Sequence, residues 1–242
     1  MLIAPIFHGY TALDLIIVAL AVFVMPVMSI LTGRKLARAP DARGLLPRYV
    51  LIISRGVLFI VLVAGAWWMQ RRPFGALGLA SHLSVWDYAG FAFALLIGLV
   101  MVAQGKSLAS APVEKLQRAM KAVRSIKITP NTPGEIALFM LMSLSAGVWE
   151  ELVYRGFLVW FLVPLTNVVG AIVISALIFG LAHLYQGVRG FVASTVLGLI
   201  FAALYLFTAS LWWLMVVHAV IDMVGGFNTV QIKRAAARHA LA

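Results

Sequence analysis

Apolar runs long enough to cross a hydrocarbon layer, about 20 residues each, recur near 10–31, 49–69, 87–105, 136–163, 168–187, 190–208 and 209–226. The stretches between them carry most of the charge. Such a pattern predicts an all-α polytopic transmembrane helical bundle of about seven spans, or eight if the long fourth run breaks at Gly156. The opening "MLIAPIFHGYTALDLIIVAL" has neither a basic leader nor a small-residue cleavage site, so its apolar run is expected to be a retained span rather than a signal peptide.

Composition strengthens this picture. The chain is 63% hydrophobic and 11% charged, with a mean hydropathy of +1.03, whereas soluble domains are roughly half apolar. Having no cysteine, it can form no disulfide, thiol nucleophile or thiolate metal site. The net charge of +11 taken alone would suggest nucleic acid, but the positions of the charges argue otherwise. Loops after the first, third, fifth and seventh runs hold 15 of the 19 basic residues, namely those between Arg34 and Arg48, between Lys106 and Lys127, Arg189, and those between Lys233 and Arg238. Only Arg71 and Arg72 lie in loops on the opposite side. By the positive-inside rule the N-terminus is outside and the C-terminus cytoplasmic, and the expected surroundings are membrane lipids, with no nucleic acid.

Within 112–124, Val113, Leu116, Met120 and Val123 share one helical face opposite basic residues. That suits a helix lying on an anionic membrane surface or a solvated connector. Ser194, Gly198 and Ala202 form a small-residue stripe for helix packing. Asp14 is expected at the interface, Arg55 is expected to snorkel towards the cytoplasmic side, and Trp212 and Trp213 read as a headgroup-level anchor.

An ionisable side chain inside the bilayer costs about 2.5–3.5 kcal/mol on insertion scales, so each invites an explanation. In "GVWEELVYRG", Glu151 and Arg155 are four residues apart and share a helix face, which predicts a structural ion pair. Glu150 points about 100° away and has no such partner, leaving it free to act as a general base. In "FGLAH", Phe179 lies one turn before His183 and can wall the space in front of the imidazole. In "HAVID", His218 and Asp222 share a face, and a carboxylate beside a histidine fixes its tautomer. Glu150, His183 and His218 all fall in the middle of their spans and could converge.

These three motifs, in this order and each within a span, resemble the CAAX-protease and bacteriocin-processing family of intramembrane proteases, whose pattern is EExxxR, FxxxH, then HxxxN or HxxxD. The chain is similar in this to type II CAAX prenyl endopeptidases. The resemblance covers roughly residues 136–226. It implies a catalytic core at 136–226, preceded by spans and an amphipathic cytoplasmic segment in 1–135 and followed by a basic cytoplasmic tail at 227–242. It further implies hydrolysis of a peptide bond in a membrane-associated substrate, in the family's eukaryotic branch a prenylated CAAX tail. Glu150 would activate water, His183 would share or orient it, and His218 with Asp222 would hold that water or stabilise the oxyanion. Asparagine is the commoner residue where Asp222 stands. A carboxylate cannot donate to an oxyanion unless protonated, which favours a role in orienting His218 or binding metal. Glu150, His183 and His218 also make a catalytic zinc set, although the HExxH helix of soluble zinc proteases is absent. Zinc and a metal-free, glutamate-dependent mechanism both stand at this point. The rival functions are a non-proteolytic membrane interaction or bacteriocin-immunity protein and an ion-relay transporter.

Overall fold

A computed structural model describes residues 9–38, 45–123 and 128–240. Arg43, Arg124 and Lys127, which contribute to the loop charge, lie outside the described residues. The first helix, α1 (Ala12–Lys35), is followed by α2 (Leu45–Met69), α3 (Val85–Ala109) and the short α4 (Val113–Val123). Then come α5 (Pro133–Leu162), α6 (Val168–Ala182), α7 (Val188–Thr208) and α8 (Trp212–Ala240). Six of these are long and apolar enough to cross a membrane, and α6 is a shorter apolar helix. Large side chains such as Phe23, Trp68, Val85 and Leu95 are exposed around the bundle, where only lipid tails would solvate them. The protein is an all-α, multi-pass integral membrane protein.

Local chemistry sets the helix starts. Thr11, Ser84 and Thr132 each cap a helix and exchange hydrogen bonds with an acidic residue three positions on, satisfying amide groups that would otherwise be orphaned. The long fourth run does not break at Gly156. It widens into a π-helical stretch, Glu151–Leu158, and continues as one helix. A second π stretch, Leu20–Val24, precedes Pro26 in α1, where the proline ring crowds the preceding turn. The last helix is longer than its apolar run, passing residue 226 without interruption as far as Ala240.

At the centre of the bundle is α5. Of its most apolar window 56% is buried, against 44% for α8 and 22–28% for α1, α2, α3 and α7. Along it pack α2 and α8; α3 lines the other side of α8, and α6 pairs with α7. Gly198 of the small-residue stripe lets α7 approach α6, because a Cβ there would sit 3.2 Å from Ala176 Cα. Gly147 does the same for α5 and α8. A Cβ on it would lie 2.6 Å from Met215 O and 2.8 Å from Ala219 N, one turn before the two glutamates and beside His218. Gly147→Ala is therefore expected to force α8 away, lowering stability by about 1–3 kcal/mol as overpacking does. Unfolding of the purified protein in detergent measures this, and a variant as stable as the parent would contradict the close approach.

Asp14, in the first turn of α1, is fully buried: both its carboxylate oxygens accept 2.7 Å hydrogen bonds from Arg72, whose guanidinium also lies over Trp67 and Trp160. Two expectations need correction. Trp213 is buried, donating through Nε1 to Thr208, while the half-exposed Trp212 donates to Ala80 O. The apolar face of α4 is partly taken up within the protein: Leu116 packs with Ile232 and Ala235 of α8, while Val113 stays exposed.

Candidate active site

Three helices bring the sequence motifs together. Glu150 ends the α-helical part of α5 and Glu151 begins the π stretch; both are buried. π-helical insertions within α-helices are frequent at functional sites. Arg155 Nη1 donates to Glu151 Oε1 at 2.9 Å, and the guanidinium stacks over Phe179 at 4.3 Å. The expected ion pair is present.

His183 caps the C-terminus of α6. That helix has 15 residues, about 22 Å at 1.5 Å per residue, shorter than the roughly 30 Å hydrocarbon. His183 Nδ1–H donates to Phe179 O at 2.9 Å, leaving Nε2 facing Glu150 Oε2 at 3.8 Å. His218 Nδ1–H donates to Glu151 Oε1 at 2.7 Å, and its Nε2 lies 3.7 Å from the same Glu150 oxygen. The carbonyl and carboxylate acceptors assign the proton to Nδ1 in each ring. Two imidazoles thus turn their Nε2 atoms on one carboxylate oxygen, which is buried and has no hydrogen-bond partner within the described chain. Phe179 walls this space as expected, 4.5 Å from the His183 ring and edge-on to His218 at 6.2 Å.

Other details differ from the expectations. Asp222 does not fix the tautomer of His218: its carboxylate is 3.7 Å from Nε2, beyond hydrogen-bonding distance, while Glu151 holds Nδ1. The side chain of Asp222 is 39% exposed and reaches the open side of the cluster. Glu150 and Glu151 do point in different directions, but the ring of His218 stands between them, so the two neighbours address opposite edges of one imidazole. Helical spacing cannot show this, because it says nothing of what crosses over from another helix.

Sequence reasoning missed two aromatic hydroxyls. Tyr154, one turn after Glu150 inside the EExxxR motif, is fully buried, with its ring 5.1 Å from Phe179 and its hydroxyl without a partner within the described chain. Tyr185 follows His183, its ring 6.2 Å from the imidazole, and its backbone N–H donates to Ser29 of α1. Arg55 of α2 is half-buried, and its Nε has no partner within the described chain.

As they stand, the side chains do not form a zinc site. Zinc bonds of about 2.0–2.1 Å bring tetrahedral or trigonal ligands to roughly 3.3–3.6 Å of one another, whereas the two Nε2 atoms are 3.7 and 3.8 Å from Glu150 Oε2. Among the described residues no group of three or more His, Asp or Glu side chains is arranged to hold a metal ion.

Comparison with known families matches residues 132–224 to the family described as type II CAAX prenyl endopeptidase Rce1-like. The match takes in all three motifs and the part of the chain that builds the cluster, in agreement with the family resemblance of the motifs. No curated protein and no solved structure matches the chain.

Proposed function

We propose that the protein is an intramembrane endopeptidase that hydrolyses a peptide bond of a membrane-associated, CAAX-type substrate by glutamate- and histidine-assisted attack of water. The observation that carries this reading is the convergence of His183 Nε2 and His218 Nε2 on the unpartnered Glu150 Oε2. It is supported by the family match over the same segment. Residues 136–226 are the proposed catalytic core.

In this mechanism Glu150 takes one proton from a water molecule whose other proton is donated to His183 Nε2, and the water oxygen adds to the scissile carbonyl carbon. His218, as an imidazolium whose Nδ1–H is held by the Glu151 carboxylate, donates from its Nε2–H to the oxyanion. The Glu150 proton then passes to the leaving nitrogen as the C–N bond breaks. Glu151 and Arg155 act through His218, because Glu151 fixes its Nδ1–H and so the aim of its Nε2. Asp222, at the open side, adds negative charge near His218 and meets the substrate. No acyl-enzyme forms.

Metal-free chemistry is the reading we favour for the same cluster. Purified protein is expected to hold no stoichiometric zinc and to keep its cleavage rate after chelation. The assay is a panel of lipidated and unlipidated membrane peptides, with products identified by mass. Stoichiometric zinc whose removal stops cleavage would replace this mechanism with a metal-dependent one.

The charge asymmetry of the loops supports an outside N-terminus and a cytoplasmic C-terminus. A reporter fused to the C-terminus is expected to be active only when it is a cytoplasmic reporter. Activity confined to a reporter that works outside the cytoplasm would reverse the orientation.

A further inference from the structure

The C-terminal extension of α8 takes no part in the water-activating cluster. With 29 residues the helix is about 43 Å long at 1.5 Å per residue, well over the roughly 30 Å of hydrocarbon, so one of its ends projects from the apolar layer. Charge says which end. Between Trp212 and Ile232 the only Asp, Glu, Lys or Arg is Asp222, whereas Lys233, Arg234, Arg238 and His239 crowd the next two turns. Against this projecting end lies the amphipathic helix α4, with Leu116 packed on Ile232 and Ala235.

Between the two helices runs a groove of about 380 Å³, lined by Val113, Leu116 and Met120 and by the polar Gln117, Lys121 and His239. Leu116 is 2% exposed and Met120 half-buried, while Gln117, Lys121 and His239 are exposed. Apolar side chains thus form the floor and hydrogen-bond donors the edge. The volume is that of a site for a small molecule. Lys115, Arg118 and Lys121 on α4 and Lys233, Arg234 and Arg238 on α8 face a single carboxylate on these segments, Glu114. A ligand that satisfies both floor and edge is an amphiphile with a negative head. Exposed Val113 in the lining and exposed Leu108 at the end of α3 carry apolar surface from the groove back towards the lipid-facing flank of α3, so the bilayer itself can supply it.

We propose that this groove binds one anionic phospholipid, with an acyl chain on Leu116 and Met120 and the phosphate held by Lys121 and His239. Clusters of four to eight basic residues where a spanning or amphipathic helix meets the membrane surface suit such headgroups. A zwitterionic lipid brings the same chain and phosphate without net charge, and the six basic side chains discriminate against it. The site lies apart from Glu150 and does not rest on the peptidase reading.

The test uses the full-length protein in phosphatidylcholine nanodiscs. Because the chain has no cysteine, Ala237→Cys gives a single place for a fluorophore, exposed and next to Ala236 of the groove lining. Phosphatidylglycerol with brominated acyl chains is expected to quench it at about 5- to 25-fold lower mole fraction than brominated phosphatidylcholine, the effect of one or two basic contacts. In the Lys121→Gln, His239→Gln double variant this ratio should fall at least about fivefold. Met120→Ser should weaken quenching by both lipids, and Lys35→Gln, on the exposed end of α1, should change neither. Thermal unfolding confirms that each variant is folded. Equal quenching by the two lipids would overturn the proposal, and so would a loss in Lys35→Gln as large as in the double variant, since the preference would then come from the diffuse field of the protein. Quenching that a lipidated peptide abolishes and excess unbrominated phosphatidylglycerol does not would also overturn it, because the groove would take a substrate's lipid. So would a fluorophore shielded from both lipids in particles that hold two protein copies, because the face would then be buried in a dimer.

Discussion

Replacing Arg155 with alanine is expected to destabilise the protein by roughly 3–5 kcal/mol, the usual consequence of removing one partner of a buried ion pair. Both members are almost completely buried, 2.9 Å apart, so the Glu151 carboxylate would keep its charge in the middle of the bundle and lose its guanidinium. Packing would suffer as well, because that group lies over Phe179 at 4.3 Å and Phe201 at 5.5 Å, where cation–π attraction in a desolvated setting adds about 2 kcal/mol. Arg155→Lys keeps the charge without the planar stack and is expected to fall between alanine and the parent. The effect should also reach the site, since Glu151 Oε1 accepts from His218 Nδ1 as well as from Arg155. Thermal unfolding in detergent is the measurement. An Arg155→Ala protein as stable as the parent would show that this pair does not support the bundle.

Hydropathy made the fold legible, because a membrane accepts only helices or closed barrels and apolar runs of about 20 residues state which. The spacing of four between Glu151 and Arg155 and between Phe179 and His183 was likewise enough, since partners one turn apart on one helix must meet. What could not be read was whatever depends on how helices rotate and cross. Asp14 meets Arg72 across a separation of 58 residues, and neither span announces the other. His218 shares a face with Asp222, yet its Nδ1 is taken by Glu151 on a different helix at 2.7 Å. Gly56 packs against the Trp149 ring and Ser145 of α5, a close approach that hydropathy does not show. The amphipathic face of α4 was visible, but the extension of α8 that covers Leu116 was not, because basic residues hid the apolar Ile232 and Ala235 within a tail.

Glu150→Gln is expected to lower the rate of peptide cleavage by about 10²–10⁴-fold, the usual contribution of a positioned general base, with little change in expression or unfolding temperature. Glutamine preserves the shape of the side chain and an oxygen facing the two Nε2 atoms, but cannot take the proton from water. Among the described residues no ion pair closer than 3.7 Å depends on the Glu150 carboxylate, so the fold has little to lose, unlike the case of Glu151. His183→Ala and His218→Ala are expected to be comparably inactive, and combining either with Glu150→Gln should add little, because groups that act on one water as a unit give non-additive losses.

The most direct measurement places parent and Glu150→Gln proteins in the same vesicles with one membrane-anchored peptide and weighs the products. From the parent we expect two fragments whose masses total that of the substrate plus one water, and from Glu150→Gln at least a hundredfold less of both, within the range of a lost general base. Equal yields from the two proteins would contradict the assignment of Glu150 as the base that activates water.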